Sequence, residues 1–306
     1  MSGVLLTCLY LARFGPHPTQ SIIDFLPGPM WTAAIVADFL SGACQVVARW
    51  IRCQRADFPP GGSGAHAPAR HCTAPGLPSH TIYAPSTIRP GEKLPLLVWA
   101  NGGGLAWGLT FADFLREVAS HGYIIVANGS PRGWGTVDER GQLSAVQWAA
   151  QEPADELDIR RHLDLERIAL AGQSKGGVHT YKAATALRQD PRVKTVALFN
   201  SGMMRPRKQD LDMVAGLAIP VYYFVGDERD VLYKNAAHDW ELLPQNLPAY
   251  FASLDVGHLG TFYEPGGGLF ADAAVKWLHA ELMGDEESKK LLISPEGPWR
   301  IRLRNL

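Results

Sequence analysis

The chain has 306 residues, 46% of them hydrophobic and 19% charged, which is enough apolar material for a sizeable core and too much for a disordered chain. Its formal net charge of -1, with no run of Lys or Arg, excludes the electrostatic footprint of a nucleic-acid binder or of a protein drawn to anionic membrane. The ten histidines are scattered without zinc-helix spacing and no C-x-x-C occurs, so neither a metal nor any other cofactor is expected.

In chain order, "VLLTCLYLA" (Val4–Ala12) is a short apolar run with no basic residue before it and no small-x-small cleavage site after it, so it reads poorly as a secretory leader. Met30–Ala48 is barely long enough to span a bilayer and carries Asp38 near its middle. It reads as an amphipathic or buried helix, and no integral membrane span is expected. Cys8, Cys44, Cys53 and Cys72 all precede residue 73. They are either two disulfides or small buried apolar thiols, and a reducing, cytoplasmic compartment is slightly favoured over secretion.

The Pro- and Gly-rich stretch "PPGGSGAHAPAR" reads as a linker, giving three expected parts: a helical extension 1–58, a linker 59–78 and a catalytic domain 79–306. The helical extension Ser21–Arg52 is expected to cap a pocket, cover a sheet edge or join two copies as a homodimer. After it, strand and helix patterns alternate. "HTIYAP", "LPLLVWANGGG", "YIIVANG", "RIALAG", "VKTVALFNSG", "IPVYYFVGD" and "AYFASLDVGH" read as strands, the last of them as the final strand. "FADFLREVASHG", "QLSAVQWAAQE", "GGVHTYKAATALRQ" and "FADAAVKWLHAELMG" read as helices. The expectation is an α/β fold, a mostly parallel central sheet with helices on both faces. In such sheets ligands bind beyond the carboxyl ends of the strands, so site residues should follow strands immediately.

"RIALAGQSKGG" meets that condition: a buried strand, then Gly172-x-Ser174-x-Gly176, then a helix. This is the context in which the pattern becomes a nucleophile elbow, with small residues where side chains would collide and the serine exposed on a strained turn. A serine hydroxyl needs a base, and the base needs an orienting acid. His258 in "LDVGHLGTF" follows a strand and lies in a glycine-flanked loop, whereas His238 sits in helix-like surroundings that suit a surface residue. Among the acids of "YYFVGDERDVLY", Asp230 is preferred because it lies further into the loop, with Asp227 the alternative and Glu228 behind it. Two backbone N–H groups must face the oxyanion, each worth about 3–4 kcal/mol. One is that of Lys175; the other is expected from Gly103, with Gly104 second, in "ANGGG". A P-loop is excluded, because "GQSKGG" places its lysine after the serine.

These motifs resemble the α/β-hydrolase superfamily, and within it a fungal and bacterial group related to dienelactone hydrolases and cutinase-like esterases. The resemblance is carried by "LLVWANGGG", "FLREVASHGYIIVANGSPRG", "AGQSKGG", "LFNSG", "PVYYFVGDERDVLYKNA", "LDVGHLGTFYEPGGG" and the closing Trp299–Leu306. It implies an α/β-hydrolase fold with Ser174 as nucleophile, Asp230 as acid and His258 as base. Members of the group often carry cysteine where this chain has Gly104 and Lys175, and the segment up to about residue 72 matches nothing in the group.

The expected activity is that of a serine-dependent carboxylesterase, cleaving an apolar or aromatic ester or lactone through an acyl-enzyme at Ser174. Rival readings are a biosynthetic acyl transfer, lactonisation or cyclisation on the same fold, and a non-catalytic ligand-binding protein. Trp107, Trp134, Met203, Met204 and Tyr233 follow strands and are candidate pocket walls, and Arg132 could face an anionic group.

Overall fold

The computed structural model describes residues 42, 44–51 and 58–306. Its centre is a nine-stranded sheet in the order β1-β2-β4-β3-β5-β6-β7-β8-β9. The strands are β1 (Ala69–Cys72), β2 (His80–Pro85), β3 (Leu94–Ala100), β4 (Ile124–Asn128), β5 (Leu163–Gln173), β6 (Val193–Phe199), β7 (Val221–Val225), β8 (Ala249–Ser253) and β9 (Arg300–Arg304). From β4 through β3, β5, β6 and β7 to β8 all pairings are parallel; β1, β2 and β9 pair antiparallel at the two ends.

The strands read as unbroken apolar runs because both faces of the sheet are covered. Leu97 and Trp99 of β3, Phe199 of β6 and Tyr222 and Phe224 of β7 point to one face. There they meet Phe114, Leu115 and Val118 of helix α1 (Ala112–Ser120) and Phe270 and Trp277 of α6 (Gly268–Met283). Leu96, Val98, Leu198 and Tyr223 point to the other face. That face is covered by Trp148 of α2 (Arg140–Ala149), Tyr181 of α3 (Lys175–Ala186), Val214 of α4 (Lys208–Ala215) and Trp240 of α5 (Tyr233–Leu242). A last helix, α7 (Glu286–Ile293), precedes β9 and is capped by the Asp285 side chain.

Two expectations are corrected. The span 59–78 contains β1, which pairs with β2 along its length, and Gly61 forms a bridge to Ala69. Its glycines answer to packing: a methyl group at Gly64 would lie 2.3 Å from the carbonyl oxygen of Ser120, at the end of α1. The segment is therefore part of the sheet edge and not a tether. Second, β8 is followed by a further strand. β9, "RIRLR", is charged at three of its five positions and carries no buried residue, so it lacks the apolar signature of the central strands. It is held by full pairing to β8 and by Arg302 and Arg304, whose guanidinium groups lie over the rings of Phe251 and Trp240.

Of the N-terminal extension only 42, 44–51 and 58 are described, and 42 and 44–51 are helical. This piece packs beside the carboxyl ends of the strands. Gly42 abuts Leu259, Arg49 pairs with Asp113 at 2.5 Å, and Trp50 meets Trp134 with ring centroids 5.2 Å apart. Val4–Ala12, most of Met30–Ala48, Cys8 and Cys53 lie outside the described residues, while Cys44 and Cys72 are free thiols. Among the described residues no helix is long and apolar enough to cross a membrane.

Candidate active site

β5 ends at Gln173 and α3 begins at Lys175, so Ser174 alone makes the turn between them, with φ 55° and ψ -123°. That region of backbone space is costly for any residue with a Cβ, about 1–3 kcal/mol, and persists only where the surroundings impose it. Here they do. Ser174 N–H donates to the Phe199 carbonyl at 2.9 Å, and the Ser174 carbonyl accepts from Gly177 N–H at 2.9 Å and from Ser201 Oγ at 2.6 Å. The two flanking glycines permit the close approach. A methyl group on Gly172 would lie 2.4 Å from the backbone of Gly176, and one on Gly176 would lie 2.1 Å from the Ala100 carbonyl oxygen.

His258 and Asp230 converge on this serine from the loops after β8 and β7. His258 Nε2 lies 3.0 Å from Ser174 Oγ, and His258 Nδ1 lies 2.7 Å from Asp230 Oδ1. An ionised carboxylate can only accept, so it holds the imidazole proton on Nδ1 and leaves Nε2 to accept from the serine hydroxyl. The three residues are 7%, 4% and 2% exposed in the order Ser174, His258, Asp230, so the array is shielded while the hydroxyl stays within reach. Asp230 also accepts from Asn200 Nδ2 at 2.8 Å, Gly226 N–H at 3.2 Å and Leu232 N–H at 2.9 Å. The histidine loop is fastened by Gln173 Nε2 donating to the His258 carbonyl and by Asn200 Nδ2 donating to the Gly257 carbonyl, at 3.1 and 3.0 Å.

The alternatives weighed in the sequence are engaged elsewhere. Asp227 turns to Arg300 at 2.8 Å, Glu228 is exposed, and His238 stands exposed on α5 with its Nδ1 4.0 Å from Asp239. Asn200 was missed. It adopts φ 45° one residue beyond β6, and an Asn at such a strand end, followed by Ser-Gly, is the signal that could have drawn attention to it.

Gly102–Gly104 form a tight turn after β3, with φ 64° at Gly103 and 67° at Gly104. The turn is pressed against the elbow. A methyl group on Gly102 would lie 1.9 Å from Gln173 Oε1, and one on Gly104 would lie 3.5 Å from Lys175 Cδ and 3.0 Å from the Val137 carbonyl oxygen. Gly104 N–H donates to the Asn101 carbonyl at 3.2 Å, whereas Gly103 is the exposed member of the three. Asn101 anchors the turn from below: its Nδ2 donates to the carbonyls of Leu105, Trp107 and Asn128, and its Oδ1 accepts from Trp99 Nε1. Lys175 opens α3, where backbone N–H groups lack an intrahelical partner. Behind this turn lies His179, whose pKa burial and the nearby Lys175 charge lower to about 4, so that it is neutral at ordinary pH.

The candidate pocket residues divide. Trp134 is exposed beside Trp50, and Met204 is half-buried. Trp107 and Met203 are buried core residues; Trp107 Nε1 donates to the Pro131 carbonyl and Met203 N–H to Asp239. Tyr233 starts α5 and packs its ring on Phe251, 6.1 Å between centroids. Arg132 is exposed. Among the described residues no group of three or more His, Cys, Asp or Glu is placed to hold a metal ion.

The sequence model of the Chlorophyllase family matches residues 70–202, the stretch from β1 through the glycine turn and the elbow to the loop after β6. The chain is also 25% identical over 114 residues to "Pyrethroid hydrolase Ces2e" of Rattus norvegicus. That alignment covers 32% of this chain and 19% of the rat protein, so the chain spans about a fifth of the length of that relative.

Proposed function

We propose, from its α/β-hydrolase-type sheet and its likeness to the Chlorophyllase family and to a rat pyrethroid hydrolase, that the chain is a serine esterase using Ser174 as nucleophile, His258 as base and Asp230 as the orienting acid. The observation that carries this reading is the continuous Oγ–Nε2 and Nδ1–Oδ1 contact of 3.0 and 2.7 Å across three loops that each follow a parallel strand.

In the first half-reaction Ser174 Oγ attacks the ester carbonyl while its proton passes to His258 Nε2, and the resulting imidazolium is stabilised by Asp230. The oxyanion accepts from the backbone N–H groups of Lys175 and Gly103; Gly104 is the weaker candidate because its amide already faces Asn101. The imidazolium then protonates the departing alcohol. Water, deprotonated by His258, releases the acid from the acyl-serine. The substrate is an ester or lactone with an apolar or aromatic part, a reading supported by Trp134, which meets Trp50 and lies in the loop that bonds to the glycine turn through Val137 N–H and the Gly104 carbonyl.

The direct test is labelling by a fluorophosphonate together with turnover of short-chain nitrophenyl esters. Wild type should show both and Ser174→Ala neither. Absence of label and of turnover in folded wild type would remove the esterase reading.

A further inference from the structure

The segment 200–203 touches every part of the proposed Ser-His-Asp array, which this inference takes as its premise. Asn200 Nδ2 donates to Asp230 and to the carbonyl of Gly257, the neighbour of His258. Ser201 Oγ donates to the carbonyl of Ser174. The segment follows β6 as a loop, and no regular backbone ladder fixes its far end. Something else has to hold Asn200 at its positive φ and Ser201 beneath the elbow.

Helix α5 supplies that hold. Gly202 lies so close to it that a methyl group would fall 2.3 Å from Ala236 N. Asn235 Nδ2 donates to the Met203 carbonyl at 2.7 Å, and Met203 N–H donates to Asp239 Oδ2 at 2.7 Å. The same Asp239 oxygen accepts from the Tyr181 hydroxyl at 3.0 Å, which in turn lies 2.6 Å from the Tyr223 hydroxyl. Asp239 is fully buried, and its Oδ1 has no hydrogen-bond partner. A buried carboxylate is expensive, and an apolar residue would serve packing alone better. Its bonds run to the loop, to the nucleophile helix α3 through Tyr181, and to β7 through Tyr223, which leads to the Asp230 loop.

We propose that Asp239 is a positioning residue. It ties the 200–203 loop, α3 and α5 together so that Asn200 and Ser201 keep Asp230, His258 and Ser174 in register, without itself touching substrate.

The experiment is steady-state kinetics on a nitrophenyl ester, with fluorophosphonate labelling rates and melting curves, for the full chain and the variants Asp239→Ala, Asp239→Asn, Tyr181→Phe and Asn235→Ala. At temperatures where it is folded, Asp239→Ala should lose kcat by about tenfold or more, with KM within about threefold and labelling slowed in parallel. Asp239→Asn keeps an acceptor for Met203 N–H and should recover to within about threefold of wild type. Should Asp239→Ala fail to fold, Tyr181→Phe and Asn235→Ala each remove one bond and should lower kcat by roughly two- to fivefold. Wild-type kcat in folded Asp239→Ala, or in both milder variants, overturns the proposal, as does a loss confined to KM. Ser174→Ala run alongside separates the two failures: if it still turns over, the esterase premise falls and the positioning role with it, whereas an inactive Ser174→Ala beside a normal Asp239→Ala overturns the positioning role alone.

Discussion

Ser174 and its neighbours show how much chemistry one turn must reconcile. The hydroxyl is presented by a backbone conformation that only close contacts sustain, and Gly176 is one of the residues that makes the contacts possible. Gly176→Ala would press a methyl group onto the Ala100 carbonyl oxygen at 2.1 Å, against rigid backbone. The expected outcome is a loss of about 1–3 kcal/mol of stability in urea unfolding, with activity falling further because the elbow shifts. Asn200 poses a different case. Asn200→Ala removes one of four donors to Asp230 and leaves the buried Gly257 carbonyl without its 3.0 Å partner. Hydrogen bonds to charged groups are worth about 1.5–3 kcal/mol, so kcat should fall by about tenfold to a hundredfold, read directly from initial rates. The three residues that the fold brings together, Ser174, His258 and Asp230, could be picked from the sequence because each lies within five residues of the end of an apolar strand. Asn200, Asn101 and Asp239 could not, because they act on backbone groups that only folding brings near, and a lone Asn or Asp carries no periodicity.

Among the elements, parallel strands buried on both faces were the most legible, since their apolar runs admit few other structures. The edges of the sheet escaped for opposite reasons. β1 hides behind glycines and prolines that serve close packing against α1. β9 hides behind three arginines, charges that also discourage further strand pairing at that edge. The helical piece 44–51 has a consequence for catalysis at this scale. It joins the Trp134 loop through Trp50 and reaches the histidine loop at Leu259 through Gly42. Trp50→Ala should therefore change kcat/KM on bulky aromatic esters while leaving acetate esters nearly unaffected, measured across a series of acyl sizes. An equal effect on all of them would assign Trp50 to packing alone. The pocket expectations for Trp107, Met203 and Tyr233 met a similar limit: strand-end aromatics and methionines look alike in sequence whether they line a cleft or fill the layer beneath it.

At the scale of the whole molecule, burial of Asp239 sets a pH dependence of stability. Its carboxyl is pushed up from 3.8 to about 6, chiefly by burial, with Met203 N–H and Tyr181 opposing, and with Tyr223 and His238 as the other titratable groups beside it. A raised carboxyl pKa means that the folded state holds the proton where the unfolded chain has lost it. This group's stabilising influence is therefore greatest below about pH 4 and is lost as pH rises towards 6. The difference corresponds to about 3 kcal/mol. Asp239→Asn does not titrate, so its stability relative to wild type should improve between pH 4 and 6.5. Urea unfolding at those two pH values checks this, and no change in the difference would refute it.

β9 lies some way along the chain from the residues it braces. It completes the wall beside the acid loop: it pairs along all of β8, Arg300 meets Asp227, and Trp299 stacks on Phe270 at 5.5 Å. A chain cut before residue 299 would carry Ser174, Asp230 and His258 without that brace. It should therefore react slowly with a fluorophosphonate, and a chain that includes β9 should react at the full rate.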